Sequence, residues 1–344
     1  MVRTLSDFPV YGVRLNYGRI ARVALIMGKL VRSTKLDDFT DERYYPPVGS
    51  DTEYVLRYFL CMVALDHRTS RYQPFEGFVN GEFFHGADLL YRLGMRKFLT
   101  DPEFFSPEHL SKVTTDEVAE WLSITFNNKK IIIWDPDVRA ELLRDIGIKL
   151  LKFYDGKVCH IIDRARNKLK GMPGYGLIDL LKVFKAYSDP VEKKAYLYAK
   201  FISRRGLFTY EDPYNAEVPV DNHLVRVALR LGIVEPSKQL LQKILKGEEF
   251  SWDEDVELRF AVRKAYKYIA RITNIDPLIL DDFLWLFGRH CCTKTGPTCV
   301  DGCSGKCEAL DYCSGGCPFE NICAYGGERA LRITEHNYQN TYYY

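Results

Sequence analysis

The sequence predicts a mainly α-helical protein with a small β component. Three observations favour this fold class. Apolar residues recur at helical spacing in several stretches, typical helix-start and helix-stop residues flank those stretches, and strand signals are few. The chain has 344 residues, of which 47% are hydrophobic, so it can bury a sizeable core in two domains or in one large one.

Seven stretches are predicted to be helices. Residues 136–154 follow an Asp135-Pro136 helix start and carry apolar side chains along one side. Residues 221–231 end at Gly232, and glycine is common just after a helix C-terminus. The remaining five predicted helices span residues 52–65, 189–203, 236–246, 256–273 and 277–288.

Strands are predicted in only two places. In residues 75–84 an Asn-Gly pair separates two short aromatic runs, which indicates a β-hairpin. Residues 129–134 form a further short strand candidate, and residues 171–176 form a loop. The sequence predicts four divisions. They are an N-terminal mainly helical region with the hairpin (1–135), a helical core (136–288), a cysteine-rich loop (289–330) and a C-terminal tail (331–344).

The charge balance and the absence of long apolar runs narrow the function classes. The formal net charge is +2, whereas a dedicated duplex-DNA binder is often strongly basic because phosphate neutralisation supplies much of its affinity. No apolar run reaches 18 residues, so we expect no membrane-spanning helix and no membrane partner. Residues 1–11 lack the basic-then-apolar pattern of a signal peptide. A cytoplasmic protein is therefore expected.

Eight of the ten cysteines lie between Cys291 and Cys323. Cys292 and Cys299 have C-x6-C spacing, and Cys317 and Cys323 have C-x5-C spacing. Four thiolates can bind zinc or complete the ligand shell of a [4Fe–4S] cluster. The stretch is too rich in Gly, Ser and Asp to pack by itself. Clustered cysteines in a chain without a signal peptide favour a reducing compartment and metal ligation over disulfides.

Asp221 lies at the start of a predicted helix, in the sequence Val-Pro-Val-Asp-Asn-His (218–223). Taken alone, it is most simply a helix N-cap, because the helix dipole and free N–H groups favour a carboxylate there. Residues 218–233 also resemble the catalytic-aspartate segment of the helix-hairpin-helix base-excision glycosylases, the endonuclease III-like superfamily. This resemblance implies that Asp221 also faces the sugar of a scissile nucleoside, and that the fold is a two-lobed helical one.

Two further stretches carry the same resemblance. Residues 286–299 resemble the entry to that family's iron–sulfur loop, and Cys-Pro-Phe-Glu-Asn-Ile-Cys (317–323) resembles its exit. The resemblance implies a structural [4Fe–4S] cluster. The four implied ligands are Cys292, Cys299, Cys317 and Cys323.

The cysteine spacing departs from the family pattern C-x6-C-x2-C-x5-C. Here 17 residues separate Cys299 from Cys317, and they contain three more cysteines. Cys307 and Cys313 also have C-x5-C spacing and form an alternative pair. The four cysteines outside the implied ligand set could bind a second metal or be spare thiols: Cys291, Cys303, Cys307 and Cys313.

The hairpin of the family is changed in this chain. Residues 187–195 correspond to its glycine-rich, phosphate-binding turn, but they contain no glycine and include the acidic Glu192. Lys193 matches the lysine nucleophile of bifunctional members. Without the resemblance, Lys193 is equally well interpreted as a solvated charge at a helix start. His223, two residues after Asp221, is a candidate substrate-binding residue.

A second resemblance covers more of the chain. Residues 244–259 and 279–285 resemble the queuosine-salvage family, whose members are nucleoside and nucleotide N-glycosidases on a divergent version of the glycosylase fold. This resemblance places Asp221 at the family's aspartate position and Lys193-Lys194-Ala195 at its Lys-x-Ala helix. Members of that family lack the cysteine loop. The chain thus combines a salvage-like body with a glycosylase-like cluster tail.

Asp66, His67 and Arg68 end an apolar predicted helix close to the predicted hairpin and to Asp88. Together they are candidates for lining a pocket that holds a polar base or a phosphate, for which an arginine is well suited. The alternative is a helix C-terminus whose cationic residues complement the helix dipole.

Three hypotheses on function follow from these patterns. The first is an N-glycosidase that releases a modified base from a nucleoside or nucleotide. The second is a DNA base-excision repair glycosylase, for which DNA would be the partner. The third is a non-catalytic iron–sulfur or zinc protein that retains the fold.

Overall fold

The computed structural model describes residues 12–171, 174–303 and 316–344, which are mainly helical. The α-helices are, in chain order, α1 (Tyr17–Ser33), α2 (Thr52–Leu65), α3 (Gly86–Thr100), α4 (Pro107–Leu110), α5 (Thr115–Trp121), α6 (Pro136–Tyr154), α7 (Cys159–Ala165), α8 (Leu177–Leu181), α9 (Lys193–Arg204), α10 (Asn222–Leu231), α11 (Lys238–Lys246), α12 (Trp252–Thr273), α13 (Pro277–Leu286) and α14 (Thr298–Asp301).

The strands are short and pair in antiparallel twos within the described residues. The strands are, in chain order, β1 (Val13–Leu15), β2 (Glu76–Val79), β3 (Glu82–His85), β4 (Ser123–Phe126), β5 (Lys129–Ile132) and β6 (Val234–Pro236). β2 pairs with β3, β4 pairs with β5, and β1 pairs across a long sequence distance with β6. The mainly α fold class with a minor β part is therefore confirmed.

Several sequence predictions match the structure closely. The helices expected at 52–65 and 136–154 form α2 and α6 with the same bounds. The predicted hairpin is formed by β2 and β3, joined through Asn80 and Gly81. Both residues have positive φ, 54° and 82°, as a tight two-residue hairpin turn requires. The second predicted strand is β5, and its partner β4 was not expected.

The helix predicted at 189–203 begins four residues later, at Lys193. The Asp189 carboxylate accepts hydrogen bonds from the N–H groups of Val191 and Lys193, both at 3.0 Å. Glu192 adopts a left-handed conformation, with φ of 63°. Asp189 therefore closes a turn before the helix, and Lys193 is the first helical residue.

Other helix starts differ from the prediction because of caps. α12 begins at Trp252, earlier than expected, since Ser251 and Glu254 form a capping box. α11 begins at Lys238, later than expected, since Ser237 caps it and the preceding residues form β6. α1 was not predicted at all, and neither was the β1–β6 pairing.

The chain divides into two compact units. The first unit comprises the described parts of residues 1–36 and 216–341, and the second comprises those of residues 37–215 and 342–344. The boundaries predicted at residues 135, 288 and 330 were placed where the sequence pattern changes, not from contacts in the structure. They stay predictions. Among the described residues, no helix combines the length and the apolar character that a membrane crossing needs.

Each unit buries its own helices. In the first unit, apolar side chains of α1, α10, α12 and α13 form a continuous core. In the second unit, α2 is the central helix, since every residue from Val55 to Leu65 is buried, and it packs against α6 and α9. The end of α2 and the start of α10 carry the residues described next.

Candidate functional site

Asp221 is the N-cap of α10 in the first unit. Its Oδ1 accepts a hydrogen bond from the Leu224 N–H at 3.0 Å, which stabilises a helix by about 1 kcal/mol. Oδ2 makes no hydrogen bond within the described residues. The helix ends at Gly232, whose φ of 69° is left-handed. One carboxylate oxygen is thus committed to the helix and the other is available to a ligand.

His223 is held next to Asp221 by Arg226. The Arg226 Nη2 lies 2.9 Å from His223 Nδ1. Because a guanidinium only donates, Nδ1 is the acceptor and a neutral ring carries its proton on Nε2. Burial lowers the pKa of His223, although the Asp221 charge opposes this effect. The Cβ and backbone of His223 also pack closely on Gly288, where an added Cβ would lie 2.9 Å from the His223 Cβ.

Arg226 joins α10 to two other segments of the first unit. Its Nη2 also donates to the Gly288 carbonyl, its Nε donates to the Cys292 carbonyl, both at 2.8 Å, and its Nη1 pairs with Glu335 at 2.6 Å. Burial opposes ionisation of that carboxyl, but Arg226 and Lys294 lower its pKa to about 2. Arg226 is thus a buried cation satisfied on every side.

Arg230 makes a second connection, one turn along α10. Its Nη1 donates to the Thr293 carbonyl at 2.7 Å and lies 3.4 Å from Cys292 Sγ. Its Nε donates to the Ile333 carbonyl at 2.8 Å. The helix that carries Asp221 therefore also fixes the start of the cysteine-rich loop.

The four cysteines predicted as ligands lie around one cavity. Cys292, Cys299, Cys317 and Cys323 carry no disulfide and line this cavity together with Phe287 and Phe319. Burial raises the pKa of the Cys317 thiol to about 12 and that of Cys323 to about 11, and the neighbouring cysteines add to both shifts.

The side chains around this cavity determine which groups it could hold. Within the described ranges, no three His, Cys, Asp or Glu side chains are placed to hold a single metal ion. The ligands of a [4Fe–4S] cluster surround a volume instead, since each iron takes one thiolate. Donors also face the sulfurs, with Arg230 near Cys292 and the Phe319 N–H at Cys317. Such donors stabilise thiolates.

The other cysteines of the loop differ. Cys291 and Cys303 are disulfide-bonded, and a disulfide sulfur offers no thiolate to a metal. Cys307 and Cys313 lie outside the described residues. The hypothesis of a second metal on these four residues therefore applies only to a reduced form of the loop and stays a prediction.

The assignment of the four free cysteines predicts a selective loss of iron. Cys317→Ser should lower the iron and sulfide content and the brown absorbance of the purified protein, because serine replaces one of four thiolates. Cys159→Ser is the matched control, since Cys159 is also a free cysteine but lies in the second unit. Equal metal content in both variants, or a protein that never contains iron, would contradict the assignment.

In the second unit, Lys193 and Asp66 contact each other where α9 begins and α2 ends. The Lys193 Nζ donates to the Asp66 carbonyl at 3.1 Å and lies 3.8 Å from Asp66 Oδ2. Tyr91 donates to the same carboxylate oxygen at 3.3 Å. Lys193 is 6% exposed, so it is an ion-paired side chain and not the solvated charge that its residue type alone suggests.

A buried polar cluster lies beside this pair. The Lys194 Nζ lies 3.3 Å from His67 Nδ1 and donates to the Ala64 carbonyl. His67 Nε2 faces Asp135 at 3.3 Å. Burial lowers the pKa of Lys194 and of His67 well below their ordinary values. Burial also raises the pKa of Asp135 to about 6.

The predicted substrate-binding residues of this unit fall into two groups. His67 has a fully buried side chain, so in this conformation it supports its neighbours and cannot touch a ligand. Arg68 is half-buried, and its guanidinium makes no ion pair among the described residues. Asp66 and Asp88 are both close enough to raise the pKa of the buried Tyr45. Arg68 and the two aspartates remain candidates for ligand contact.

Comparison with known proteins gives one curated relative. The chain is similar to a queuosine 5'-phosphate N-glycosylase/hydrolase. That protein, from Dictyostelium discoideum, is 23% identical over 220 residues. The match covers 58% of this chain and 65% of the relative, so the chain spans less than two thirds of that protein. No family model matches the chain.

The chain is also similar to the solved structure of a thermostable thymine-DNA glycosylase. It is 15% identical, with a TM-score of 0.39 over 90% of this chain and 97% of that one. This similarity is too low to carry an argument.

Sequence reasoning missed the residues that support the candidate site. Lys194, Asp135, Arg226, Arg230 and Glu335 were not singled out. Arg226 and Arg230 had one usable signal, since an i, i+4 arginine pair on an otherwise apolar helix must either be solvated or buried with partners. Glu335 had no signal, because only the fold brings its segment to α10.

Proposed function

We propose that this protein is an N-glycosidase that hydrolyses the bond between a modified base and the sugar of a nucleoside or nucleotide. The observation that carries the proposal is Asp221, a half-exposed carboxylate with one oxygen fixed by its own helix and one oxygen available. The similarity to a queuosine 5'-phosphate N-glycosylase/hydrolase supports the substrate class.

The chemistry needs a carboxylate close to C1′ of the sugar. Breaking an N-glycosidic bond develops positive charge on the sugar, and a fixed anion stabilises that oxocarbenium-like transition state. In the proposed mechanism, Asp221 supplies the anion and orients the attacking water. The His223 Nε2–H, set by Arg226, is available as a hydrogen-bond donor to the substrate.

Lys193 has two possible roles in this proposal. An amine that reached C1′ could attack it and form a Schiff base. An amine held by Asp66, as in the structure, would instead take no part in the covalent chemistry. Hydrolysis without a lysine nucleophile is the simpler assignment.

We further propose that Cys292, Cys299, Cys317 and Cys323 hold a [4Fe–4S] cluster with a structural role. The cluster would order a loop that has few apolar residues. Glycosidic hydrolysis has no redox step, so the cysteines need only fix the loop against α10. The contacts of Arg226 and Arg230 with that loop support this role.

A DNA base-excision glycosylase is the second candidate. Residues 218–233 and the cysteine spacing favour it, whereas the glycine-free turn at 187–195 and the nearly balanced charge disfavour it. A non-catalytic iron–sulfur protein is the third.

One experiment separates these candidates. The protein is incubated with modified mononucleotides and with duplexes that carry damaged bases, and released base is measured by chromatography. We expect release from a mononucleotide, none from the duplexes, and no covalent adduct after borohydride treatment. Release from duplexes alone would favour the repair glycosylase. A borohydride-trapped adduct that Lys193→Met removes would assign the nucleophile. No release from any substrate would leave only the non-catalytic protein.

A further inference from the structure

The charge of the first unit is unevenly distributed. The whole chain has 48 basic and 46 acidic residues, yet neither residues 17–36 nor residues 258–275 contain a single Asp or Glu. These ranges include all of α1 and most of α12, and each contains five basic residues. A nearly neutral protein therefore has two stretches, all of α1 and the part of α12 from residue 258 onward, whose charges are all positive. The acidic residues of α12 lie at its start, between Asp253 and Glu257.

The two helices meet at a surface where only part of these charges is exposed, since Arg259, Arg263 and Lys267 are buried. α1 packs against α12, with the rings of Tyr17 and Tyr268 5.3 Å apart and the Arg32 Nη2 donating to the Thr273 carbonyl at 3.2 Å. Both tyrosines are exposed, 58% and 37%, so the seam between the helices opens to solvent. We name the exposed side chains along it the basic face: Tyr17, Arg22, Lys29, Lys264, Tyr268 and Arg271.

The cations of the basic face are available to a partner. Among the described residues, Arg22, Lys29 and Arg271 make no hydrogen bond or ion pair. Lys267, on the same helix, differs because it pairs with Glu217 at 3.5 Å and donates to the Ala216 carbonyl. Unpaired, uniformly positive charge on adjacent helices is repulsive, and a polyanion would relieve that repulsion.

The geometry points to the phosphodiester backbone of a nucleic acid as the partner of the basic face. Regularly spaced phosphates match cations spread along two helices, and exposed tyrosine rings offer stacking surfaces to unpaired bases. A membrane surface fits less well. Ile20, Val23 and Met27 of α1 are buried in the core. The exposed aliphatic side chains of the two helices are Leu25 and Ile272, which form too small an apolar side to insert into lipid.

This inference does not depend on the proposed glycosidase activity, since the basic face contains neither Asp221 nor His223. It adds a surface by which the protein could be retained on RNA or DNA. The nearly neutral net charge conceals this surface, because acidic residues elsewhere in the chain offset it.

The test uses the full protein, a fluorescent folded RNA and a fluorescent DNA duplex, with binding measured by anisotropy from low to physiological salt. The test variant is Arg22→Glu/Lys29→Glu/Arg271→Glu. The matched control is Lys129→Glu/Lys152→Glu/Lys157→Glu, which makes the same charge change at exposed positions of the second unit. Each phosphate contact contributes about 0.9 to the slope of log affinity against log salt.

We expect the basic-face variant to bind at least ~10-fold more weakly near 0.1 M salt, with a salt slope lower by roughly 2 to 3. The control should match the wild type. Equal weakening in both variants, no binding by the wild type, or preferential binding to phosphatidylserine vesicles would overturn the inference. Base release from a mononucleotide should be the same in both variants, so a failure of the glycosidase proposal would be seen separately.

Discussion

Asp221→Asn is expected to reduce base release by roughly 10² to 10³-fold or more, the range found when one transition-state stabilising group is removed. The helix should survive, because asparagine is as good an N-cap as aspartate and keeps the oxygen that accepts from the Leu224 N–H. Only the negative charge next to the sugar is lost. Turnover of a modified mononucleotide, thermal midpoint and iron content should be measured together.

Asp51→Asn is the matched control for this variant. Asp51 is also an N-cap, and it accepts hydrogen bonds from the Glu53 and Tyr54 N–H groups at the start of α2. We expect normal turnover and normal stability for Asp51→Asn. Unchanged turnover in Asp221→Asn, or loss of fold in that variant alone, would remove Asp221 from the proposed mechanism.

Arg226→Met should have the largest effect on stability among the residues described. It removes the buried one of the two cations that pair with Glu335, whereas Lys294 remains at 3.1 Å; breaking a buried ion pair typically costs about 3 to 5 kcal/mol. It also frees His223, Gly288 and the Cys292 carbonyl from their shared donor. Urea unfolding at pH 7 measures this cost. Base release should fall as well, because His223 loses the contact that fixes its ring.

The acid dependence gives an independent test of this ion pair. The folded-state pKa of Glu335 is about 2, below its usual value of 4.5. The pair therefore stabilises the fold fully above pH 4.5, and this contribution is lost as the pH falls toward 2. In Arg226→Met, the free energy of unfolding should fall less between pH 4.5 and pH 2 than it does in the wild type. The double variant Arg226→Met/Glu335→Gln should be more stable than Arg226→Met alone. An Arg226→Met protein as stable as the wild type would show that the pair contributes nothing.

Much of the local structure was predictable because its causes are local. α2 and α6 follow from apolar periodicity and from start signals within a few residues. The turn at Asn80-Gly81 follows from the ability of those two residues to adopt positive φ. The helix start at Lys193 was mispredicted because an aspartate such as Asp189 can either cap a helix or close a turn. Which of the two it does depends on contacts with residues outside this segment.

The candidate site was predictable only in part. Asp221 and the four cysteines could be named because a capping aspartate and regular cysteine spacings leave a pattern in the sequence. The i, i+4 arginine pair Arg226 and Arg230 left a pattern but did not reveal its partners, and Glu335 left no pattern, since the partners of these residues lie 62 to 109 residues away in the chain. His67 appeared to be a ligand-binding residue, but its burial makes it a supporting one.

The sequence by itself determined the helical class of this protein, the position of Asp221 at a helix start and the cysteines able to act as ligands. These depend on backbone preferences and side-chain chemistry that act over a few residues. Only the tertiary structure decided which polar groups are buried and paired, because desolvation and ion pairing depend on segments distant in the chain. It also decided that exposed positive charges of α1 and α12, among them Arg22, Lys29 and Arg271, share one face, which the net charge does not reveal.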